Sequence, residues 1–277
     1  MPQDILHKLI YALISGFTEF LSVSAPPHLM LYEKMTGFAQ TDAMLTLAIR
    51  IGVLAAVGLC CRTRINRLLR EQRLAGLSRR RRNRQPDVTA LLDIRLLKTA
   101  LIPLLISILF YKRAGEWISE VQWLALTLTL SGVLLFIPRL LTQGNKDGRS
   151  VSGLDGVLMG LGGALAAVPG FSRVGGIISV GTARGIDRSY ALDIALLLSI
   201  PALLGLLIFD IYGVLTAKLT LGFVALLVYL LLAAVSFGSA WIGITLMRYL
   251  SVKAGFTGFS YYSWGLALFS FILYLMI

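Results

Sequence analysis

The chain has 277 residues, of which 57% are hydrophobic and 14% charged, and it carries a formal net charge of +12. With a mean hydropathy of +0.79, that composition excludes an ordinary soluble domain and points to a polytopic membrane protein. The basic excess is local: Arg62 to Arg84 holds ten arginines against the single acid Glu71. That is the signature of a cytoplasmic loop drawn to anionic inner-leaflet lipid. The run lacks interleaved aromatics and any recognition module, so no nucleic-acid partner is expected.

In chain order, the N-terminal "MPQDILHKLIYALISGF" shows no basic n-region or small-residue cleavage site, and so does not read as a removable signal. Ile5 to Leu31 is apolar but interrupted by "SVSAPPH". Spans of membrane length follow at Ala43–Cys61, Leu96–Phe110, which is short and borrows flanking residues, and Val121–Leu141. Leu154 to Thr182 is interrupted again by "VPGFSRVGG"; then come spans at Ser189–Tyr212, Leu219–Leu246 and Phe259–Ile277. Broken backbone survives at membrane depth only when buried in protein or lining a wet cavity, so both interrupted segments read as re-entrant helical hairpins. The adjacent Cys60 and Cys61 form no spaced motif and read as reduced and inert.

Each hairpin precedes a similar helix, "TGFAQTDAMLTLAIRIGVLAAVG" in one case and "ARGIDRSYALDIALLLSIPALLG" in the other. With the arginine-rich loop fixed inside, the first hairpin enters from outside and the second, after the basic "PRLLTQGNKDGR", from inside. The expected fold is therefore all-α and polytopic, with about six transmembrane helices plus two re-entrant hairpins arranged as an inverted repeat. It forms a single integral membrane domain over residues 1–277, with a first repeat at 1–61, a basic cytoplasmic loop at 62–94 and a second repeat at 151–212. Both termini are expected outside.

Four ionisable groups lie where a bilayer penalises them. Glu19 must pair or line a cavity. His28, across the first break, could move a proton or attack phosphorus. Arg173 sits among Gly170, Gly175 and Gly176, which let backbone approach a ligand, and its fork matches phosphate oxygens. A helix restarting at Gly175 or Gly176 would add free N–H groups to an anion site. Arg50, mid-span, points either to a structural pair with Glu19 or to an anion, and both readings stay open. Asp193 and Asp210 read as solvated near helix ends.

Taken together, "GFTEFLSVSAPPH" and "PGFSRVGG" resemble the undecaprenyl-diphosphatase family of integral membrane phosphatases, known also for bacitracin resistance. Members typically read E-G-x-T-E-F-L-P-V-S-S-T-G-H and P-G-x-S-R-S-G at these places. The order of Ile102-Pro103, "SGVLLF", "ALDIALLLSIPALLG" and "FDIY" extends the resemblance along most of the chain. It implies removal of one phosphate from a polyprenyl (undecaprenyl) diphosphate for lipid-carrier recycling in a bacterial plasma membrane. It also implies His28, Glu19 and Ser24 as catalytic residues and Arg173 and Ser172 as phosphate-binding ones, to which the chemistry of the residues themselves adds Arg50, Gly170 and Gly175. Glu19 would hold a divalent cation, Mg2+ or Ca2+, and the protein could pair as a homodimer. The motif is incomplete: Ser15 stands for the first acid, Ala25 for the second serine, Pro27 for the Gly before His28, Val174 for the Ser after Arg173, Arg50 and Gly163 for two glutamines, and Ser263 for an Arg. The alternative implied by those losses is a paralogue that binds, translocates or senses polyprenyl phosphate.

Overall fold

A computed structural model describes residues 2–39, 42–77, 85–117, 121–141, 144–217, 222–253 and 256–276. Among these residues the fold is all helical, the only strand-like feature being an isolated bridge between Lys146 and Ile186. The helices are α1 (Pro2–Glu19), α2 (Ala25–Thr36), α3 (Ala43–Gly76), α4 (Val88–Trp117), α5 (Val121–Leu140), α6 (Gly153–Ala164), α7 (Arg173–Ala183), α8 (Arg188–Thr216), α9 (Phe223–Lys253) and α10 (Thr257–Met276). Six of them, α3, α4, α5, α8, α9 and α10, are long and apolar enough to cross a membrane. The chain is therefore a polytopic membrane protein, as its composition requires.

Both interruptions are present. α1 ends at Glu19 and α2 begins at Ala25, with Pro26 and Pro27 in its first turn, where a missing N–H costs nothing. α6 runs into a 3-10 turn at Leu165–Ala167, and α7 begins at Arg173 rather than at Gly175 or Gly176. The backbone of the first break is sealed in protein: Phe20 and Ser22 are fully buried, and Leu21 and Val23 nearly so. That burial is what allows unpaired backbone to persist in an apolar surrounding.

The basic segment departs from expectation. It is not a loop from 62 to 94, because α3 continues to Gly76 and α4 starts at Val88. Arg, Leu, Glu, Gln and Ala are good helix formers, and Leu68 and Glu71 turn inward while the arginines at 62, 70 and 73 stay exposed, so the segment continues α3 amphipathically. The tetra-arginine Arg79 to Arg82 lies outside the described residues.

Small residues set the helix spacing, as they do where no hydrophobic force separates helix from lipid. Gly16 of α1 and Gly52 of α3 both press on α9 at Ser236, where a Cβ would come within 2.5 and 2.1 Å of its carbonyl oxygen and hydroxyl, respectively. In the other half, Gly156 and Gly160 of α6 press in the same way on Leu96 and Ala100 of α4. Thus α1 packs on α9 and α6 on α4, while α3 packs on α8 and α5 on α10. A twofold relation exchanging α1–α5 with α6–α10 generates this set of pairings.

Candidate functional site

The two breaks touch. The Ser172 hydroxyl donates to the Leu21 carbonyl at 3.1 Å and accepts from the Gly175 N–H at 3.1 Å, capping α7. One residue on, Arg173 Nη1 lies 3.1 Å from Glu19 Oε1, with side chains only 11% and 21% exposed. The last residue of α1 and the first of α7 therefore pair across the junction, 154 positions apart in sequence.

This pair borders a cleft with two lobes. The larger encloses about 240 Å³ between Ser15, Glu19, Glu33, Arg50 and Tyr111. A smaller pocket of about 40 Å³ adds Ser24, Ser172 and Arg173. Glu19, Ala25, Pro26, Arg50 and Tyr111 line both, which makes them one site. Arg50 donates from Nε to Asp210 of α8, so its structural partner is Asp210 and not Glu19. Asp210 is accordingly no solvated helix-end residue; two opposite charges sunk in neighbouring spans are each other's solution to a common desolvation cost. Tyr111 and Glu33 were not singled out from the sequence, because nothing local marks them; Glu33 is hydrogen-bonded to Tyr11, another wall residue.

The remaining candidate residues fall in different places. His28 does not face the guanidinium of Arg173. Its ring lies against Tyr262 of α10, with centroids 5.7 Å apart and 13° between planes. Nδ1 is 2.6 Å from the Ser24 carbonyl and Nε2 is 2.7 Å from the Tyr262 hydroxyl. A carbonyl only accepts, so Nδ1 carries the hydrogen, and in the neutral ring Nε2 accepts from the tyrosine. His28 thus lines a different, apolar cavity of about 650 Å³ with Phe17, Leu31 and Phe269, and Val23 stands in the wall between the two. Ser172 spends its hydroxyl on capping. The Gly175 N–H is taken by that cap, and Gly176 N–H bonds the Ser172 carbonyl at 2.8 Å, so neither is free for an anion. Gly170, at φ +110°, has Thr127 of α5 where a Cβ would sit, with Oγ1 at 2.3 Å; it is a turn residue next to Phe171 of the cleft wall and does not itself line the cleft. Ser24, Glu19, Arg50 and Arg173 remain together. Ser24 makes no side-chain cap bond although it is the N-cap of α2.

The motif substitutions fit their surroundings. Val174 and Ser263 are buried, and a Cβ on Gly163 would meet Ile177 at 2.9 Å. For a divalent cation the donors are thin: among the described residues no three His, Cys, Asp or Glu side chains converge. Glu19 already spends an oxygen on Arg173, and Ser15 offers only a neutral hydroxyl. Glu19 and Glu33 are the carboxylates lining the cleft and would be the protein's donors to a cation; Arg50 and Arg173 supply its positive charge.

Paired helix breaks meeting at a partly buried carboxylate–guanidinium contact, among six helices long and apolar enough to cross a membrane, define a polytopic membrane protein with a charged cleft where the breaks meet. The chain matches, over residues 8–269, the family described as bacitracin resistance protein BacA, and it belongs to that family. It is similar to an undecaprenyl-diphosphatase of Nocardioides sp., 33% identical over 212 residues covering 75% of each chain. It is 28% identical to undecaprenyl-diphosphatase 1 of Shouchella clausii over 273 residues, covering 98% of this chain and 96% of that one. A further undecaprenyl-diphosphatase, from Ruegeria sp., is 32% identical over 206 residues, 73% of this chain and 74% of the relative.

Proposed function

We propose that the protein is a membrane hydrolase that converts a polyprenyl diphosphate to the monophosphate and phosphate, with the reaction in the Glu19–Arg50–Arg173 cleft. The observation carrying this is the meeting of two distant helix breaks at Glu19 and Arg173, in a family whose named relatives are undecaprenyl-diphosphatases. Arg173 offers a planar fork to phosphate oxygens and Arg50 a second positive charge on the facing wall. Phosphoryl transfer asks mainly for positioning and charge neutralisation. Ser24, the uncommitted hydroxyl beside them, is the nucleophile: its oxygen bonds to the terminal phosphorus, the bridging P–O bond breaks with its electron pair leaving on the polyprenyl monophosphate, and Glu19 takes the hydroxyl proton. Water then bonds to the phosphorus of the phosphoserine, the Ser24 O–P bond breaks with its electron pair on the serine oxygen, that oxygen takes the proton back from Glu19, and phosphate leaves carrying the oxygen of the water. A divalent cation, if one is used, would be held by Glu19 together with the diphosphate and would supply further neutralisation of phosphate charge.

In this reading α1–α2 and α6–α7 are re-entrant hairpins of an inverted repeat, which the helix pairings support. The arginine-bearing end of α3 faces the cytoplasm, drawn to anionic lipid, and both termini lie outside. In this reading the protein pairs as a homodimer, which its mass in detergent tests.

The second reading, a paralogue that binds or moves polyprenyl phosphate without cleaving it, is favoured by Ala25, which puts a methyl group where the family has a hydroxyl, and by the outward turn of His28. Phosphate release from a polyprenyl diphosphate by the purified chain decides between them. Release that disappears in Arg173→Gln and Ser24→Ala supports hydrolysis at this cleft. Lipid binding without release refutes it and selects the second reading.

A further inference from the structure

A second polar cavity lies well away from the cleft. Arg62 to Arg70 follow Arg50 along α3 by about 18 to 30 Å at the helical rise per residue. With the end of α9 and the first turn of α8 they enclose about 1290 Å³. Five guanidiniums line it, Arg62, Arg64, Arg67, Arg70 and Arg248, against one lining carboxylate, Asp193. Three are spent. Arg64 pairs with Asp193 and lies 3.8 Å from Asp93; Arg67 pairs with Asp87; Arg70 is 3.3 Å from Glu71. Arg248 reaches only the far oxygen of Asp193, at 3.9 Å, on a carboxylate Arg64 already holds. Arg62 is exposed and makes no ion pair among the described residues.

Two further features point the same way. Ser251 lines the cavity and is 5% exposed, yet its hydroxyl has no hydrogen-bond partner. A buried hydroxyl left unpaired is costly, and this one belongs to a residue in the wall of a cationic cavity. Ser189, the second residue of α8, also lines it, which places the positive end of a 29-residue helix at its wall.

We propose that this cavity is a binding site for a phosphate-bearing anion, separate from the reaction cleft and independent of what that cleft does. Arg62 and Arg248 would hold phosphate oxygens and Ser251 would donate a hydrogen bond. The same chemistry suits the headgroup of an anionic phospholipid and a free phosphate or diphosphate. It differs from diffuse attraction of arginines to a charged surface, because it depends on particular side chains and not on net charge.

The test uses full-length protein in neutral detergent. One arm measures retention of phosphatidylglycerol against phosphatidylcholine by native mass spectrometry; the other measures thermal protection by inorganic phosphate and diphosphate at constant ionic strength. Arg62→Gln/Arg248→Gln should weaken the response at least about tenfold, the size of one charge-assisted hydrogen bond, whereas Arg73→Gln/Arg95→Gln, with the same charge loss outside the cavity, should stay within about twofold. Ser251→Ala should weaken it about threefold, as losing a neutral hydrogen bond does. Lipid retention without protection by the salts assigns a headgroup, and protection by the salts assigns a free anion. Equal losses in the cavity variant and its charge-matched control, or no response in either arm, overturn the proposal. Arg62→Gln alone, at an exposed and unpaired side chain, keeps the test decisive where the double variant fails to fold.

Discussion

The Arg50–Asp210 pair separates structural from chemical roles within one cycle of variants. Asp210→Asn leaves the Arg50 charge in the interior without its partner. Breaking a buried pair from one side costs about 3 to 5 kcal/mol, and since these side chains retain 15% and 13% exposure beside a cavity, the lower end applies. For a chain of this size a loss of about 3 kcal/mol lowers the unfolding midpoint by roughly 6 to 12 °C. Arg50→Gln alone strands Asp210 and should cost a similar amount. The double variant Arg50→Gln/Asp210→Asn removes both charges and keeps two amides that can bond each other, so it should recover to within about 1 kcal/mol of the parent, as charge-free replacements of buried pairs do. Thermal unfolding of the four proteins in the same detergent reads the coupling. Phosphate release reads the chemistry: Asp210→Asn keeps Arg50 on the cleft wall and should remain active at permissive temperature, while the stable double variant should lose on the order of a hundredfold, as when a transition-state donor is removed. A double variant no more stable than the worse single variant would refute the pairing. A fully active double variant would refute the role of Arg50 toward phosphate.

Other outcomes follow from the same geometry. His28→Gln should leave phosphate release within about tenfold of the parent, far short of the loss expected of a catalytic group, because its ring faces Tyr262; a larger loss in kcat would return His28 to the reaction. Arg173→Lys should retain measurable binding of the lipid diphosphate but lose most turnover, since an ammonium keeps the charge and gives up the two-pronged fork; equal kcat in the two proteins would contradict that. Gly170→Ala, at a left-handed φ and against Thr127, should cost at least about 2 kcal/mol in thermal unfolding from strain and overpacking together. Hydrogen bonds from the Thr89 hydroxyl and Arg67 hold the Asp87 carboxyl below its ordinary value. Its contribution to stability is therefore present above about pH 4 and is lost as pH falls toward the folded value, so the difference in midpoint between the parent and Asp87→Asn should shrink from pH 6 to pH 3.

Much of the fold was legible because membrane depth leaves a chain few options. Long apolar runs must be helices, and a run broken by Pro-Pro or Pro-Gly must be sealed by protein, which is why α1–α2 and α6–α7 are readable in the sequence. The boundary of α3 was misplaced because arginines mark where a chain leaves the bilayer, and say nothing about where its helix ends; Leu68 and Glu71, turned inward, carry that information. Within the site, Glu19 and Arg173 were legible because a charge inside an apolar segment has to be answered. The same rule applied to Asp210, which was read as solvated when Arg50 in a neighbouring span was its partner. The direction of His28 was not legible at all. It stands four residues from Ser24 on one helix turn, and only the arrival of Tyr262, 234 positions away, fixes which cavity the ring enters.

That division of labour across the first break bears on how the motif tolerates its losses. The start of α2 has two faces: Ser24, Ala25 and Pro26 border the charged cleft, His28 borders the apolar cavity, and Val23 stands between them. Pro26 and Pro27 stiffen this turn, so a side chain cannot swap faces without rebuilding the break. A hydroxyl restored at Ala25 would therefore enter the cleft beside Glu19 and Arg50. Ala25→Ser should raise phosphate release if turnover is limited by nucleophile supply, and should rescue release in Ser24→Ala, because Ala25 lines the same pocket as Ser24 and Glu19. Kinetics of the single and double variants, on protein matched for thermal stability, check this. An Ala25→Ser/Ser24→Ala double variant as inert as Ser24→Ala, with the fold intact, would show that the wall carrying Ala25 is not where phosphorus is attacked, and would remove the reason for placing the nucleophile at the start of α2.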